Sequence, residues 1–361
     1  MGQALAAPIT TKDSEDGAHA AKGLRWGCSC MQGWRLSMED AHFALGSLPG
    51  DGWEDTAAFG VMDGHGGKEV AMFCQHHLPL LIGRGSSSDT KAALVDAFHG
   101  IDDMLDSPPG PEESEEAGPR CGSAEWVGCT AVVCLVRRDV LVVGNAGDSR
   151  AVLSRRRRAM PLSTDHKPNL PEERERIQRA GGRVERQTLG DHVQYRVNGN
   201  LNLSRSIGDM EYKRVAHLPP NEQMICSTPD VVAVVRDPGD EFLLLACDGV
   251  WDVMSNQQAV DFVHERLPEY TRAGMALSGI VEEMLDYCVS PDLVETRGLG
   301  GDNMTAVLVV FEKGSHAPAV SVTTPHSPML QERRADSANS TDVDSAVVHA
   351  DGFCGCHPFH T

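Results

Sequence analysis

The chain has 361 residues, 41% of them hydrophobic. That is enough to bury one large core or two smaller ones, and no uncharged apolar run approaches the roughly 20 residues needed to span a membrane. Against 32 Lys and Arg stand 52 Asp and Glu, for a formal charge of −20, and nothing basic is extensive enough to make nucleic acid the main partner. Eleven cysteines, an odd number scattered singly through apolar runs with no secretory signal ahead of them, point to a reducing compartment.

Residues 1–22 read as a flexible N-terminus. Gly2 invites comparison with the myristoylation pattern, but that pattern wants Ser or Thr where this chain has Ala6, and one acyl chain would give only weak membrane association. Residues 26–31 alternate like a strand, with Cys28 and Cys30 on one face; no His or Cys follows at zinc-finger spacing, so packing explains them best. Residues 33–41 then set Arg35 four positions before the pair Glu39-Asp40. An arginine fork suits phosphate oxygens and adjacent acids suit a hydrated cation, although a surface ion-pair cluster is the plainer reading.

The centre of the sequence is AAFGVMDGHGG, residues 57–67. An apolar run stops at Asp63, followed by Gly64, His65 and two more glycines, and a helix is expected over 68–81. A second helix is expected over 89–106, capped by Asp89 or Thr90. Residues 107–120, SPPGPEESEEAGPR, cannot build a core and read as a flexible acidic insertion. Strands are expected at 128–136 and 140–153, the second interrupted by Gly-Asp-Ser-Arg at 147–150. Four arginines at 155–158 read as a charged hairpin turn in preference to a nuclear-import patch. A helix follows over 169–182, opened by Pro171 and closed by Gly181-Gly182, and then an irregular loop over 197–213. Strands at 231–235 and 242–247, helices at 256–267 and 272–289, and a last strand at 304–311 complete the ordered pattern. From 313 onward the composition is that of a disordered tail, in which Cys354, Cys356 and His357 form only a weak metal-like cluster.

The ending at Asp63 recurs. Apolar runs terminate at Asp248 and, one glycine later, at Asp148, and Asp302 stands just before the last strand. Gathering four carboxylates is costly without a cation to neutralise them, so the pattern predicts a metal site. About ten short strands with two groups of helices do not alternate as βαβ units. They predict an α+β protein, an αββα sandwich of two packed antiparallel sheets flanked by helices.

The order of motifs resembles the type 2C family of metal-dependent serine/threonine protein phosphatases. The carriers are RLSMEDA (35–41), DGHGG (63–67), GCTA (128–131), GDSR (147–150), DHKP (165–168) with AGG (180–182), LSRSIGD (203–209), DGVWDVM (248–254) and GDNMT (301–305). Together they cover roughly residues 22–313, so the catalytic domain is expected over 23–313. The resemblance implies hydrolysis of phosphoserine and phosphothreonine by water or hydroxide activated at a dinuclear Mg²⁺ or Mn²⁺ centre. It implies that Asp63 bridges two ions, that the Gly64 carbonyl binds one, and that Asp248 and Asp302 hold the other. Glu39 and Asp40 would act largely through water, and Asp148 and Asp252 mark a weaker third ion. Arg35 would grip substrate phosphate and His65 would act as general acid. Oxygen-only ligands agree with Mg²⁺ or Mn²⁺, and the charge on a phosphoryl group agrees with two cations. Met62, where the family more often has an aromatic residue, and the small Ala58 depart from the pattern without removing a metal position. The expected partners are phosphorylated proteins, and the expected setting is a monomer in the cytoplasm, with nucleus and membrane surface as further locations. A catalytically dead binding module and a hydrolase of small phosphate esters are the competing readings.

Overall fold

A computed structural model describes residues 5–107, 124–189 and 192–312; Gly2, most of the acidic insertion and the tail lie outside the described residues. In chain order the first elements are β1 (Ile9–His19), β2 (Leu24–Gly33), β3 (Ala41–Leu45), β4 (Ala57–Met62), β5 (Gly64–His65), α1 (Glu69–Arg84) and α2 (Thr90–Asp106). Then come β6 (Gly128–Cys129), β7 (Ala131–Val136), β8 (Val140–Ala146), β9 (Arg150–Arg155), β10 (Arg158–Pro161), α3 (Pro171–Arg179), β11 (Val184–Leu189), β12 (His192–Val197) and β13 (Ile207–Gly208). The chain closes with β14 (Asp230–Val235), β15 (Asp240–Ala246), α4 (Asp248–Trp251), α5 (Asn256–Ala273), α6 (Ser278–Cys288) and β16 (Met304–Phe311).

Two antiparallel sheets carry the architecture, one in the order β1-β2-β16-β15-β9-β10 and the other β14-β8-β7-β4-β3. Period-two alternation explains why β15 is apolar from Phe242 to Ala246: successive side chains serve two different cores. Leu243 and Leu245 point between the sheets, where they meet Phe59, Val132 and Val307. Phe242, Leu244 and Ala246 point outward to Val260 and Val263 of α5 and Ile280 and Met284 of α6. On the far side, Phe43, Ala58 and Met62 pack against Phe73 and Leu78 of α1 and Leu94 and Phe98 of α2. The result is the expected αββα sandwich, and Met62 and Ala58 take part in it as packing residues.

Local signals account for most boundaries. Asp89 caps α2 by accepting a hydrogen bond from the Ala92 N–H, and Ser255 with Gln258 forms a capping box for α5. The arginine run at 155–158 is the β9–β10 hairpin, with Arg156 and Arg157 in left-handed conformations.

Two expectations are corrected. The stretch over 1–22 is not flexible throughout: Ile9–His19 is an edge strand paired antiparallel with β2. Its polar sequence hides this because an edge strand with a wet face needs little apolar content. Ladder bonds hold it, together with bonds from the Ser278 N–H and hydroxyl to the Asp16 carboxylate. Likewise the break between the last two helices does not fall at 268–271. Helix α5 runs through Pro268 and stops at Gly274, whose φ of 65° only glycine adopts cheaply, and α6 begins at Ser278.

Candidate active cleft and metal centre

Topology brings the acids together. Asp63 follows the last residue of β4 and Asp248 lies just beyond β15, while Asp40 immediately precedes β3 and Asp302 lies just before β16. Because β3 runs antiparallel to β4 and β16 antiparallel to β15, all four carboxylates emerge at one end of the sandwich. Asp63, Asp248 and Asp302 open on a cleft of about 850 Å³ whose walls also include Arg35, Glu39, Gly64, His65 and Asp148.

Each position is fixed by its surroundings. The Asp63 N–H donates to the Thr130 hydroxyl at 3.2 Å and the Thr130 N–H donates to the Asp63 carbonyl at 2.9 Å. Gly64 approaches the backbone so closely that a Cβ would stand 2.2 Å from the Glu39 carbonyl oxygen. Asn303 positions the Glu39 segment: its Oδ1 accepts from the Glu39 N–H, and its Nδ2 donates to the Gln32 and Ser37 carbonyls. Glu39 itself accepts from the Ser37 hydroxyl and the Gly67 N–H. Asp40 lies behind the cleft wall, with Oδ2 accepting from the Thr305 hydroxyl at 2.7 Å.

The electrostatics are those of an under-neutralised site. Burial, then Asp248, Asp40 and Asp302, hold the Asp63 carboxyl well above the usual carboxylate range. Burial, then Asp148, Asp302 and Asp252, do the same to Asp248. Burial pushes Asp40 up to about 6, and its Oδ1 is buried without a hydrogen-bond partner. One oxygen each of Asp40 and Asp63, with Cys247 Sγ, lie within 4.8 Å of one another. Two cationic side chains reach in from the sides: Arg35 pairs with Asp302 at 2.6 Å and Lys167 pairs with the buried Asp148. Orphaned buried oxygen and mutually repelling carboxylates are what a divalent cation relieves. The donor set therefore fits Mg²⁺ or Mn²⁺. Asp252 does not line the cleft; it caps α4, and it acts there through its charge on Asp248.

His65 faces a partner that the sequence reading did not assign. Its Nε2 lies 2.7 Å from Asp209 Oδ2. Asp209 also accepts from the Ser206 hydroxyl at 2.5 Å and sits in a left-handed conformation at φ 52°. Burial works against a charged imidazole, but Asp209 outweighs it and raises the His65 pKa. Asp209, Lys167, Asn303 and Thr305 all fall in quoted motifs; what the sequence lacks is any mark of which distant side chain each one meets.

Comparison with known proteins agrees with this architecture. The family model described as Protein phosphatase 2C matches residues 24–296. A probable protein phosphatase 2C from Oryza sativa subsp. japonica is 39% identical over 97% of this chain and 98% of its own length. The Schizosaccharomyces pombe protein phosphatase 2C homolog 2 is 42% identical over 87% of this chain and 80% of its own. Among solved structures, a phosphatase from Toxoplasma gondii superposes with a TM-score of 0.66 at 26% identity, covering 84% of this chain and 96% of that one. A double sheet between helix layers is the architecture the chain shares with that phosphatase. The chain belongs to the protein phosphatase 2C family and is a protein serine/threonine phosphatase.

Proposed function

We propose that the protein hydrolyses phosphoserine and phosphothreonine esters of proteins at a dinuclear Mg²⁺ or Mn²⁺ centre. Asp63, the Gly64 carbonyl, Asp248 and Asp302 would hold the two ions, Glu39 and Asp40 would act through water, and Asp148 with Asp252 would attend a weaker third. The observation that carries this reading is the half-buried carboxylate group whose members Asp40, Asp63 and Asp248 are all driven toward protonation. When bound, the ions supply an acidified water as nucleophile and neutralise charge on the phosphoryl group.

The chain's own residues do the rest. Arg35, more than half exposed and tethered to Asp302, is placed to exchange a carboxylate for phosphoryl oxygens, which its fork matches equally well. His65 donates a proton to the departing serine or threonine oxygen, without which an alkoxide is a poor leaving group. Since Nε2 faces Asp209, Nδ1 is the ring atom from which that proton leaves.

Hydrolysis of a phosphothreonine peptide by chelator-treated full-length protein, with and without Mn²⁺ or Mg²⁺ and beside Asp248→Asn, tests the reading. Phosphate release restored by metal in wild type alone is expected. No release from folded protein under any metal would sink the assignment, and release from small phosphate esters but not from the peptide would move it to another substrate class.

A further inference from the structure

A second group of metal-ligating side chains lies outside the cleft, at the open edge of the sandwich. Glu15 of β1 stands directly across from Cys28 of β2 in the strand register, so their side chains share a face. His42 arrives from β3, the edge strand of the other sheet. Its neighbours Ala41 and Phe43 face the helices, and alternation turns His42, with Ala44, toward the space between the sheets. One donor atom from each of Glu15, Cys28 and His42 falls within 4.8 Å of the other two.

We propose that these three residues form a zinc-type site that ties the two sheet edges together. Three observations support it. His42 Nε2 and Glu15 Oε1 are 3.5 Å apart, within the about 3.3–3.8 Å that separates donors around a tetrahedral zinc ion. A thiol, an imidazole and a carboxylate suit Zn²⁺, whereas the carboxylate-rich cleft suits Mg²⁺ or Mn²⁺. A cavity of about 320 Å³, lined by Asp13, Ser14, Glu15, His42 and Gln75 among others, opens beside the group, with room for water as a fourth ligand. Gln75 Nε2 donates to the His42 carbonyl at 2.6 Å, fixing the backbone that carries the imidazole. Binding releases the Cys28 thiol proton to solvent, and the half-exposed Glu15 side chain can swing inward to close the contacts.

Cobalt(II) is a suitable probe, because a cobalt–thiolate bond gives a near-ultraviolet charge-transfer band that oxygen ligands do not. Full-length protein, stripped with chelator and kept in excess Mg²⁺ to occupy the cleft, is titrated with Co²⁺. One equivalent of the band is expected in wild type, lost in Cys28→Ser and in His42→Ala and kept in Cys247→Ser. Glu15→Gln, at an exposed position, should weaken Zn²⁺ binding at least about tenfold while leaving Mg²⁺-dependent phosphatase activity intact, which also reports on folding. No band in wild type overturns the proposal. So does a band that survives Cys28→Ser, or one lost only with Cys247→Ser, since that thiol borders the catalytic carboxylates. Zinc affinity unchanged in Glu15→Gln would remove the carboxylate from the site and overturn it as stated.

Discussion

Two carboxylate clusters of this protein are treated in opposite ways. Glu173, 1% exposed, accepts from Arg176 Nη1 at 2.7 Å, from Arg205 Nε and Nη2 at 3.0 and 2.7 Å, and from the Ser204 hydroxyl at 2.6 Å. Burial pushes its pKa upward, but the two guanidinium groups and the hydroxyl outweigh it and the net shift is down. In the cleft the balance tips the other way, and Asp63 and Asp248 are driven up by burial and by one another. One cluster is neutralised from within the chain and serves the fold; the other, on the proposed function, is left for cations from solution and serves the chemistry. Counting acidic residues cannot separate them, whereas asking what faces each carboxylate can.

Breaking the cleft side should have the largest effect. Asp63→Asn is expected to lower metal-saturated kcat by about 10⁴-fold, the scale of losing several kcal/mol of transition-state charge stabilisation. The thermal midpoint of the chelated protein should stay the same or rise, because a repelling charge has gone. A large fall in that midpoint would mean the carboxylate is structural. The mirror experiment, Glu173→Ala, leaves the buried Arg176 guanidinium without its acid and Arg205 with Asp230 alone, and should cost about 3–5 kcal/mol of stability, measured by urea unfolding. Its turnover per folded molecule and its metal requirement should match wild type.

The two clusters were unequally legible. Residues 242–247 are apolar on both faces because both faces are buried, and that run declares a central strand directly. Acids at the ends of such strands could be read as a metal site, since Asp63, Asp248 and Asp302 each abut an unmistakable apolar run. The edge strand β1 could not be read, because a ladder of backbone bonds leaves no signature in side chains facing water. Pairings such as His65 with Asp209, 144 positions apart, or Glu173 with Arg205 are set by tertiary packing. A single sequence carries the residues but not the juxtaposition.

Asp209 lies between the two cases, a buried carboxylate paired with the proposed general acid. Asp209→Asn should reduce kcat by about 10²–10³-fold on poor leaving groups, within the range of general acid catalysis, and much less on good ones. With the carboxylate gone, burial is opposed by Asp148 and Glu39 without the stronger pull of Asp209, and the His65 pKa falls. The protonated, proton-donating ring is then lost at lower pH, and the alkaline limb of the kcat profile should move down. A uniform loss of rate with an unmoved limb would assign Asp209 to the fold only.

The smallest effect tests the comparison most finely, because the two clusters give stability opposite slopes with pH. A carboxyl whose folded pKa is raised binds protons more readily folded than unfolded, so its penalty is full above the folded pKa and fades as pH falls toward the unfolded value. Asp40, at about 6, together with Asp63 and Asp248, should therefore make chelated protein more stable on going from pH 7 to pH 5, by about 1–3 kcal/mol. Glu173, with a depressed folded pKa, stabilises fully above its unfolded value near 4.3 and loses that contribution as pH falls through the folded one. The midpoint should consequently rise to a maximum near pH 5 and fall below pH 4. Saturating Mg²⁺ or Mn²⁺ should raise the midpoint at pH 7 and flatten the upper slope while leaving the acid fall in place. Asp63→Asn should flatten the upper slope without metal, and Glu173→Gln should flatten only the lower one. If metal altered both slopes alike, the division into a cluster neutralised by the chain and one neutralised from solution would be wrong.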